Sequence, residues 1–360
     1  MITKTNRILK NKTFDKSLWI QMPRDVAAGH DVLKQLPIIV DDLGISGNLL
    51  VLSGGHTMKT VGKKVLALLK DKIVYSLEVG EITYDEIERV EGYAKSIDAA
   101  LLIGVGGGRV IDTAKIVSYN LDIQFISVPT AASHDGIASS RASISTDDGS
   151  VSVSAHPPLA IVADTGILSQ APRRLMAAGY ADMVANYTAI MDWELSKNKT
   201  GEKISEYAET LSMITAELMV DSAEKIKKFD ENAAWIVMKA LFASGIAMSI
   251  AGSSRPASGG EHKFAHMLEK LAPKKALHGE ACGVGAIISM YLHGGDWKKI
   301  RSSLKIIGAP TTPKELGISD EVIVEAIMRA REIRPERYTI FDEDISLKTA
   351  QTAVAKLYEE

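Results

Sequence analysis

One cysteine in 360 residues, Cys282, excludes any intramolecular disulfide and any zinc cluster built on several thiolates. A reducing cytoplasm suits such a chain. An excess of one charge is missing too: 42 basic against 45 acidic residues leave a net charge of −3, with the signs interspersed. No basic field for nucleic acid and no polybasic segment for anionic lipid results. Apolar runs such as "ACGVGAIISMYL" fall short of the ~20 residues that a spanning helix needs, and the opening "MITKTNRILKNKTF" has no apolar core of a signal peptide. No internal repeat, low-complexity tract or long linker rich in Pro, Gly or Ser is found. What is present is 46% hydrophobic residues, enough for the cores of about two domains. The expectation is a soluble cytoplasmic protein without a nucleic-acid partner or membrane insertion.

The chain changes rhythm near its middle. Residues 48–165 alternate short apolar runs with helical patterns: "NLLVLS", "KIVYSLEV", "AALLIGV" and "QFISVPT", with helices over 57–70, 84–96 and 109–119 between them. That alternation predicts βα units and a parallel sheet. "RASISTDDGSVSVSA" breaks it with alternating residues around an Asp-Asp-Gly-Ser turn signal, predicting an inserted β-hairpin before the last strand "LAIVAD". From residue 165 onward, apolar residues recur at spacings of three and four with no strand signal, so the second part reads as all-α. The expected organisation is an α/β domain over 1–164 and a helical domain over 165–360, with a ligand cleft between them.

"LLIGVGGGRVIDTAK" sets Gly104, Gly106, Gly107 and Gly108 between a strand and a helix opening at Arg109. Glycines there admit a pyrophosphate to the backbone, and the free amides of the helix start attract its charge. The alternative is a tight turn requiring positive φ and nothing more. The G-x-G-x-x-G fingerprint is not met, because Arg109 stands at its third glycine. A second loop, "SGGHTMK" (53–59), ends another strand and is placed to line the same crevice. "SVPTAASHDGIASSRAS" gathers Thr130, Ser133, Asp135 and Ser139 after the fourth strand, suited to a ribose, a phosphate or a substrate hydroxyl, or else to a surface turn.

"SGGEHKFAHMLEKLAPKKALHGE" holds His262 and His266 on one helix face and His278 beyond a Pro-Lys-Lys break. Any two of the three are compatible with a metal, and histidine caps or solvated side chains are the bland alternative. A catalytic metal also needs a third ligand and an open position. Asp182 in "GYADMVANYTA" is the candidate, since a carboxylate within an apolar helix is costly to bury without a cation.

"GVGGGRVIDTAK", "VPTAASHDGIAS", "GYADMVAN", "SGGEHKFAHMLE" and "ALHGEACGVG", in this order, resemble the motif series of the dehydroquinate synthase and iron-containing alcohol dehydrogenase superfamily. The likeness spans roughly residues 15–350 and is greatest to the archaeal branch acting on sn-glycerol 1-phosphate. It implies that Asp182, His262 and His278 hold one Zn2+ per subunit. It further implies that Gly106, Gly107, Gly108, Arg109, Val110, Thr130, Ala131, Ala132, Ser133 and Ser139 contact NAD(H) or NADP(H). Asp135, Asp182 and His266 would contact substrate and serve catalysis, with His266 as proton carrier because a histidine pKa lies near working pH. The implied reaction is reversible reduction of dihydroxyacetone phosphate to sn-glycerol 1-phosphate, by a homo-oligomer, a dimer or a multiple of dimers. Arg109 is a candidate for the 2′-phosphate of NADP, and Arg141, Arg255 and Lys263 are candidate cations for the substrate phosphate. Competing readings are a glycerol dehydrogenase, a dehydroquinate synthase-like enzyme, and a non-catalytic metal and nucleotide binding protein.

Overall fold

In a computed structural model the chain is described over residues 20–146 and 149–359. Eight strands occupy its first part: β1 (Asp25–Gly29), β2 (Asn48–Ser53), β3 (Val74–Glu78), β4 (Ala99–Gly106), β5 (Gln124–Pro129), β6 (Arg141–Thr146), β7 (Gly149–Ser154) and β8 (Ala160–Asp164). Six of them form one parallel sheet in the order β1-β8-β5-β4-β2-β3, and β6 and β7 pair antiparallel as the expected hairpin. The Asp147-Asp148 pair of its turn signal lies outside the described residues.

The central strands read as continuous apolar runs because both of their faces are covered. From Leu49 to Ser53, β2 is buried throughout, as is all of β8. Each leucine so enclosed, such as Leu50, Leu52, Leu101 and Leu102, contributes about 2 kcal/mol of burial. Helices α1 (Leu36–Asp42), α2 (Lys63–Leu68), α3 (Tyr84–Ser96) and α4 (Gly108–Leu121) alternate with the strands. Strand β1 was not anticipated. "DVAAG" carries a single large apolar residue, and as an edge strand it pairs only with β8, some 130 residues along the chain.

After Asp164 the described residues carry helices and no strand. The longer ones are α5 (Arg173–Thr200), α6 (Glu206–Asp221), α7 (Glu231–Ala251), α8 (Gly260–Leu271), α9 (His278–Leu292), α10 (Trp297–Ile306), α11 (Asp320–Arg329) and α12 (Leu347–Lys356). Helix α7 starts at Asp230, whose side chain accepts from the Ala233 amide at 2.8 Å, and stops at Gly252 with φ 65°. By length and composition this helix could cross a membrane, contrary to the expectation that no apolar run is long enough. Most of that stretch is buried in the helical core.

The two halves meet where Glu231, opening α7, receives the Thr165 hydroxyl at 2.6 Å and contacts His30 Nδ1, just past β1, at 2.9 Å. Asp164, ending β8, accepts from the Leu33 and Ile167 amides at 3.1 and 3.3 Å. The chain therefore leaves the sheet at a fixed angle and enters the helical half beside the carboxyl ends of the strands.

Candidate active site

Strand β2 leads outward to β3 on one side of the sheet, while its other neighbour, β4, leads on to β5. The loops leaving β2 and β4 thus diverge and open a crevice between them, where open α/β sheets bind their ligands. Gly54, Gly55, His56 and Thr57 from the first loop, with Gly107, Gly108, Arg109, Val110 and Ser133, line a groove of about 570 Å³.

None of Gly104, Gly106, Gly107 and Gly108 has a positive φ, so the tight-turn explanation fails for all four. Their reasons differ. A β-carbon on Gly106 would lie 2.6 Å from the Val110 side chain, and one on Gly108 would lie 1.8 Å from His134 Nε2. Gly107, the N-cap of α4, faces nothing within 4 Å. Gly106 and Gly108 are small because protein packs on them, whereas Gly107 has free space where a β-carbon would stand, in the groove beside the unpaired first amides of α4.

A second cavity, about 350 Å³, continues from the groove and shares with it Glu81, Gly108, Arg109, His134, Leu277 and His278. Asp135, Ser139, Arg141, Asp182, His262 and His266 line it. Thr130, Ala131, Ala132 and Gly106 line neither space. Thr130 bonds through its amide to the Gly106 carbonyl at 2.9 Å, and Ala131 and Ala132 are buried. Arg109 is held by Glu81 at 2.7 Å across the groove mouth.

Three glycines bring the candidate ligands together. Gly179, one turn before Asp182, presses on the Ala132 carbonyl, where a β-carbon would come within 2.1 Å of the oxygen. Gly279, next to His278, presses in the same way on the Ala178 carbonyl, and Gly285 crosses α8 against Glu261. Helices α5, α8 and α9 can therefore approach closely enough for Asp182, His262, His278 and Cys282 to place one donor atom each, all within 4.8 Å of one another.

The donors fit a divalent metal ion. Buried Asp182 Oδ1 has no hydrogen-bond partner and lies 3.6 Å from His262 Nε2. Glu261, fully buried, is bonded to His262 Nδ1 at 2.9 Å and also accepts from the Gly259 amide and the Thr188 hydroxyl at 2.6 and 2.9 Å. As an ionised acceptor it places the imidazole proton on Nδ1 and frees the Nε2 lone pair toward Asp182. This is the carboxylate–histidine–metal arrangement. Nothing in the sequence patterns had singled out Glu261 as the orienting partner.

Charge states agree with that reading. Burial, with the Asp135 charge next, pushes the Asp182 carboxyl up to about 7. Burial opposes protonation of His262, but Glu261 and Asp182 outweigh it and raise its pKa. His278 has an exposed face on the cavity, yet the protein packed behind it and the neighbouring imidazoles push it well below the usual range, leaving a neutral donor. Burial and the carboxylates raise the Cys282 thiol, 3.5 Å from His278 Nε2, so it stays protonated.

His266 corrects one expectation. Burial and the nearby Arg334 charge push its pKa down to about 3, so it does not titrate near working pH and stands as a neutral imidazole in the cavity wall. Two proposed phosphate cations are also displaced. Arg255 is clamped by Glu202, Ser196 and the Tyr338 carbonyl, and Lys263 by Asp342 and the Arg337 carbonyl. Neither lines the cavity.

Lys115, read from sequence only as part of a helix, is fully buried and holds the cavity floor. Its ammonium donates to the Gly136 and Arg141 carbonyls at 2.5 Å each and pairs with Asp112 at 3.3 Å. Asp112 in turn accepts from the Ser143 amide at 2.9 Å. The loop bearing Asp135 and the hairpin bearing Arg141 are thereby tied to α4. Asp135 accepts from the Ser244 hydroxyl at 3.0 Å, and its own amide supports Asp182.

An open parallel sheet with a glycine groove at its switch point, facing a candidate metal cluster of Asp182, His262 and His278 on a helical half, defines a dehydroquinate synthase-like dehydrogenase. Residues 27–172 match the family model described as iron-containing alcohol dehydrogenase. A solved structure described as a probable glycerol dehydrogenase from Sinorhizobium meliloti 1021 superposes with a TM-score of 0.78 at 21% identity, covering 95% of this chain and 98% of that one. Among curated proteins, glycerol-1-phosphate dehydrogenase (NAD(P)+) of Methanocorpusculum labreanum is 77% identical over 360 residues, covering 100% of both chains. That of Methanoculleus marisnigri is 58% identical over 98% of each. The chain belongs to the glycerol-1-phosphate dehydrogenase (NAD(P)+) family.

Proposed function

We propose that this protein reduces dihydroxyacetone phosphate to sn-glycerol 1-phosphate, reversibly and with NAD(P)H, and so supplies the glycerophosphate backbone of archaeal membrane lipids. The observation that carries the reading is the shared wall at Gly108, His134 and His278, which joins the groove of Gly107 to the Asp182–His262–His278 cluster. Cofactor and substrate would meet there. When bound, a Zn2+ ion, one per subunit, would act as Lewis acid toward the ketone oxygen and the reduced nicotinamide would supply the hydride.

The chain's own groups do the positioning. Asp182, His262 and His278 hold the metal, Glu261 fixes the His262 tautomer, and the Gly107 backbone with the start of α4 takes the pyrophosphate. Asp135 is placed to accept a hydrogen bond from a substrate hydroxyl. His266, neutral, contributes a hydrogen-bonding imidazole beside it, not an imidazolium. The division into a nicotinamide dinucleotide-binding α/β domain (1–164) and a helical metal- and substrate-binding domain (165–360), a cytoplasmic location, a homo-oligomer that is a dimer or a multiple of dimers, and the lack of nucleic-acid or membrane association belong to the same proposal.

The test is NAD(P)H oxidation with dihydroxyacetone phosphate before and after chelation. Turnover lost on chelation and regained with zinc is expected. Turnover of dihydroxyacetone exceeding that of its phosphate would point to a glycerol dehydrogenase, and a product formed with no net change in nicotinamide absorbance would point to dehydroquinate synthase-like chemistry.

A further inference from the structure

Two arginines enter the substrate cavity from opposite halves of the molecule. Arg141 opens β6 of the hairpin, and Arg334 lies between α11 and α12. Arg141 leans on the Ser154 hydroxyl and on Ser152, but its buried Nε has no partner. The Arg334 guanidinium makes no hydrogen bond or ion pair among the described residues, and the residue sits at φ 47°, a left-handed conformation unfavourable for a side chain of this size. A strained, unpaired, partly enclosed guanidinium is costly unless a ligand uses it. The other enclosed cations here are already used: Arg255 by Glu202, Lys263 by Asp342, Lys115 by Asp112, and Arg337 by the Ser258 carbonyl and Ser254 hydroxyl.

Arg141, Arg334 and Arg337 crowd together at this end: burial first, and the Arg334 charge second, lower the pKa values of Arg141, Arg337 and His266. The cavity wall also carries five carboxylates, Glu81, Asp112, Asp135, Asp182 and Glu269; of these Asp112 is committed to Lys115 and the Ser143 amide, Asp135 to Ser244, Glu81 to Arg109, and Asp182 stands in the candidate metal cluster.

We propose that Arg141 and Arg334 close on the phosphoryl group of the substrate as a two-sided clamp, and that this clamp makes the site one for a phosphorylated three-carbon ketone. The assignment rests on the proposed function for the identity of the ketone, but the clamp itself requires only a phosphate dianion. Two guanidiniums match its charge and offer paired N–H groups to its oxygens. Lys274, exposed on the turn before α9 and also lining the cavity, is too solvated to replace them.

Arg334→Asn is the cleanest variant, because asparagine tolerates the left-handed backbone that arginine occupies under strain. The melting temperature is expected to hold or rise while KM for dihydroxyacetone phosphate increases about 100-fold, on the scale of a lost charge-assisted contact to phosphate. Arg334→Lys should recover part of that loss, and Lys274→Gln should change KM less than about tenfold. Inorganic phosphate, titrated calorimetrically without turnover, should bind the wild type and bind Arg334→Asn at least tenfold more weakly. Equal phosphate binding by the two proteins, or KM within threefold of wild type, overturns the clamp. A wild type that binds phosphate through Arg334 yet does not oxidise NAD(P)H with dihydroxyacetone phosphate keeps the clamp and overturns the functional reading instead.

Discussion

Gly279 stands against the Ala178 carbonyl so closely that a β-carbon on it would lie 2.0 Å from the oxygen and 2.7 Å from the carbon. No rotamer change relieves a backbone clash, so Gly279→Ala must push α9 off α5 and carry His278 away from Asp182. A loss of about 1–3 kcal/mol of stability is expected, with metal content falling in parallel. Denaturant midpoints and metal analysis of the same preparation check it; a stable variant with full metal would mean the helices have room to spare.

The ligand assignment separates by substitution. His262→Ala and His278→Ala should lose metal and activity together, and high zinc should partly restore them. His266→Ala should keep its metal and lose turnover or substrate affinity. Cys282→Ala should also keep metal, because the thiol is held protonated. Metal loss in Cys282→Ala would make the sulfur a ligand.

Glu261 acts through His262. Glu261→Gln removes the charge that fixes the imidazole tautomer, and metal affinity should fall 10–100-fold. A competition assay with a chromophoric chelator measures this directly. Unchanged affinity would leave Glu261 as a packing group for Gly259 and Thr188.

Metal uptake should depend on pH. In the metal-free site Asp182 carries a proton below about 7, and His262 holds one above its ordinary value. Metal must displace both, so affinity should decline as pH falls through about 7, with protons released that calorimetry in two buffers can count. The stability of the apoprotein follows from the same signs. Folding raises the Asp182 pKa, so that carboxyl costs stability as pH rises from its unfolded value of 3.8 toward 7. His262, also raised, contributes stability below its unfolded 6.5 that is lost as pH rises through its folded value. A pH-independent metal affinity between 6 and 8 would contradict these assignments.

Gly107→Val and Gly108→Ala should part company. The first places side-chain atoms in the open groove, and should weaken NAD(P)H binding by about tenfold or more while stability and metal content stay normal. The second drives a methyl toward His134 Nε2 at 1.8 Å and should destabilise the loop. Fluorescence titration of NAD(P)H with both variants, alongside thermal melts, makes the comparison.

Five of the six sheet strands and the hairpin were legible in the sequence because burial on both faces, or on one, leaves a run or an alternation of apolar residues. β1 was not, since an edge strand needs neither. The candidate metal ligands could be chosen only through motif resemblance; spacing alone left the three histidines unresolved. Glu261 was hidden beside His262, because adjacency in sequence does not reveal which carboxylate turns back onto a ring. Lys115 carried no signal beyond its helix, because the Gly136 and Arg141 carbonyls that surround its ammonium come from a loop and a hairpin 21 and 26 residues farther on. Arg334 lies in a stretch without period, and its strained φ and missing partners exist only in three dimensions.

Strand β8 lies between β1 and β5, so the sheet is closed by the strand made last. During synthesis β1 leaves the ribosome with no neighbour to pair with until Ala160–Asp164 has followed. For that interval its backbone amides and the flank of β5 stand open. Assembly of the nucleotide-binding half is therefore a late, cooperative insertion of β8 rather than a strand-by-strand growth from the amino terminus. A chain interrupted before residue 160 would present two bare β-edges, and its hazard is aggregation rather than mere inactivity.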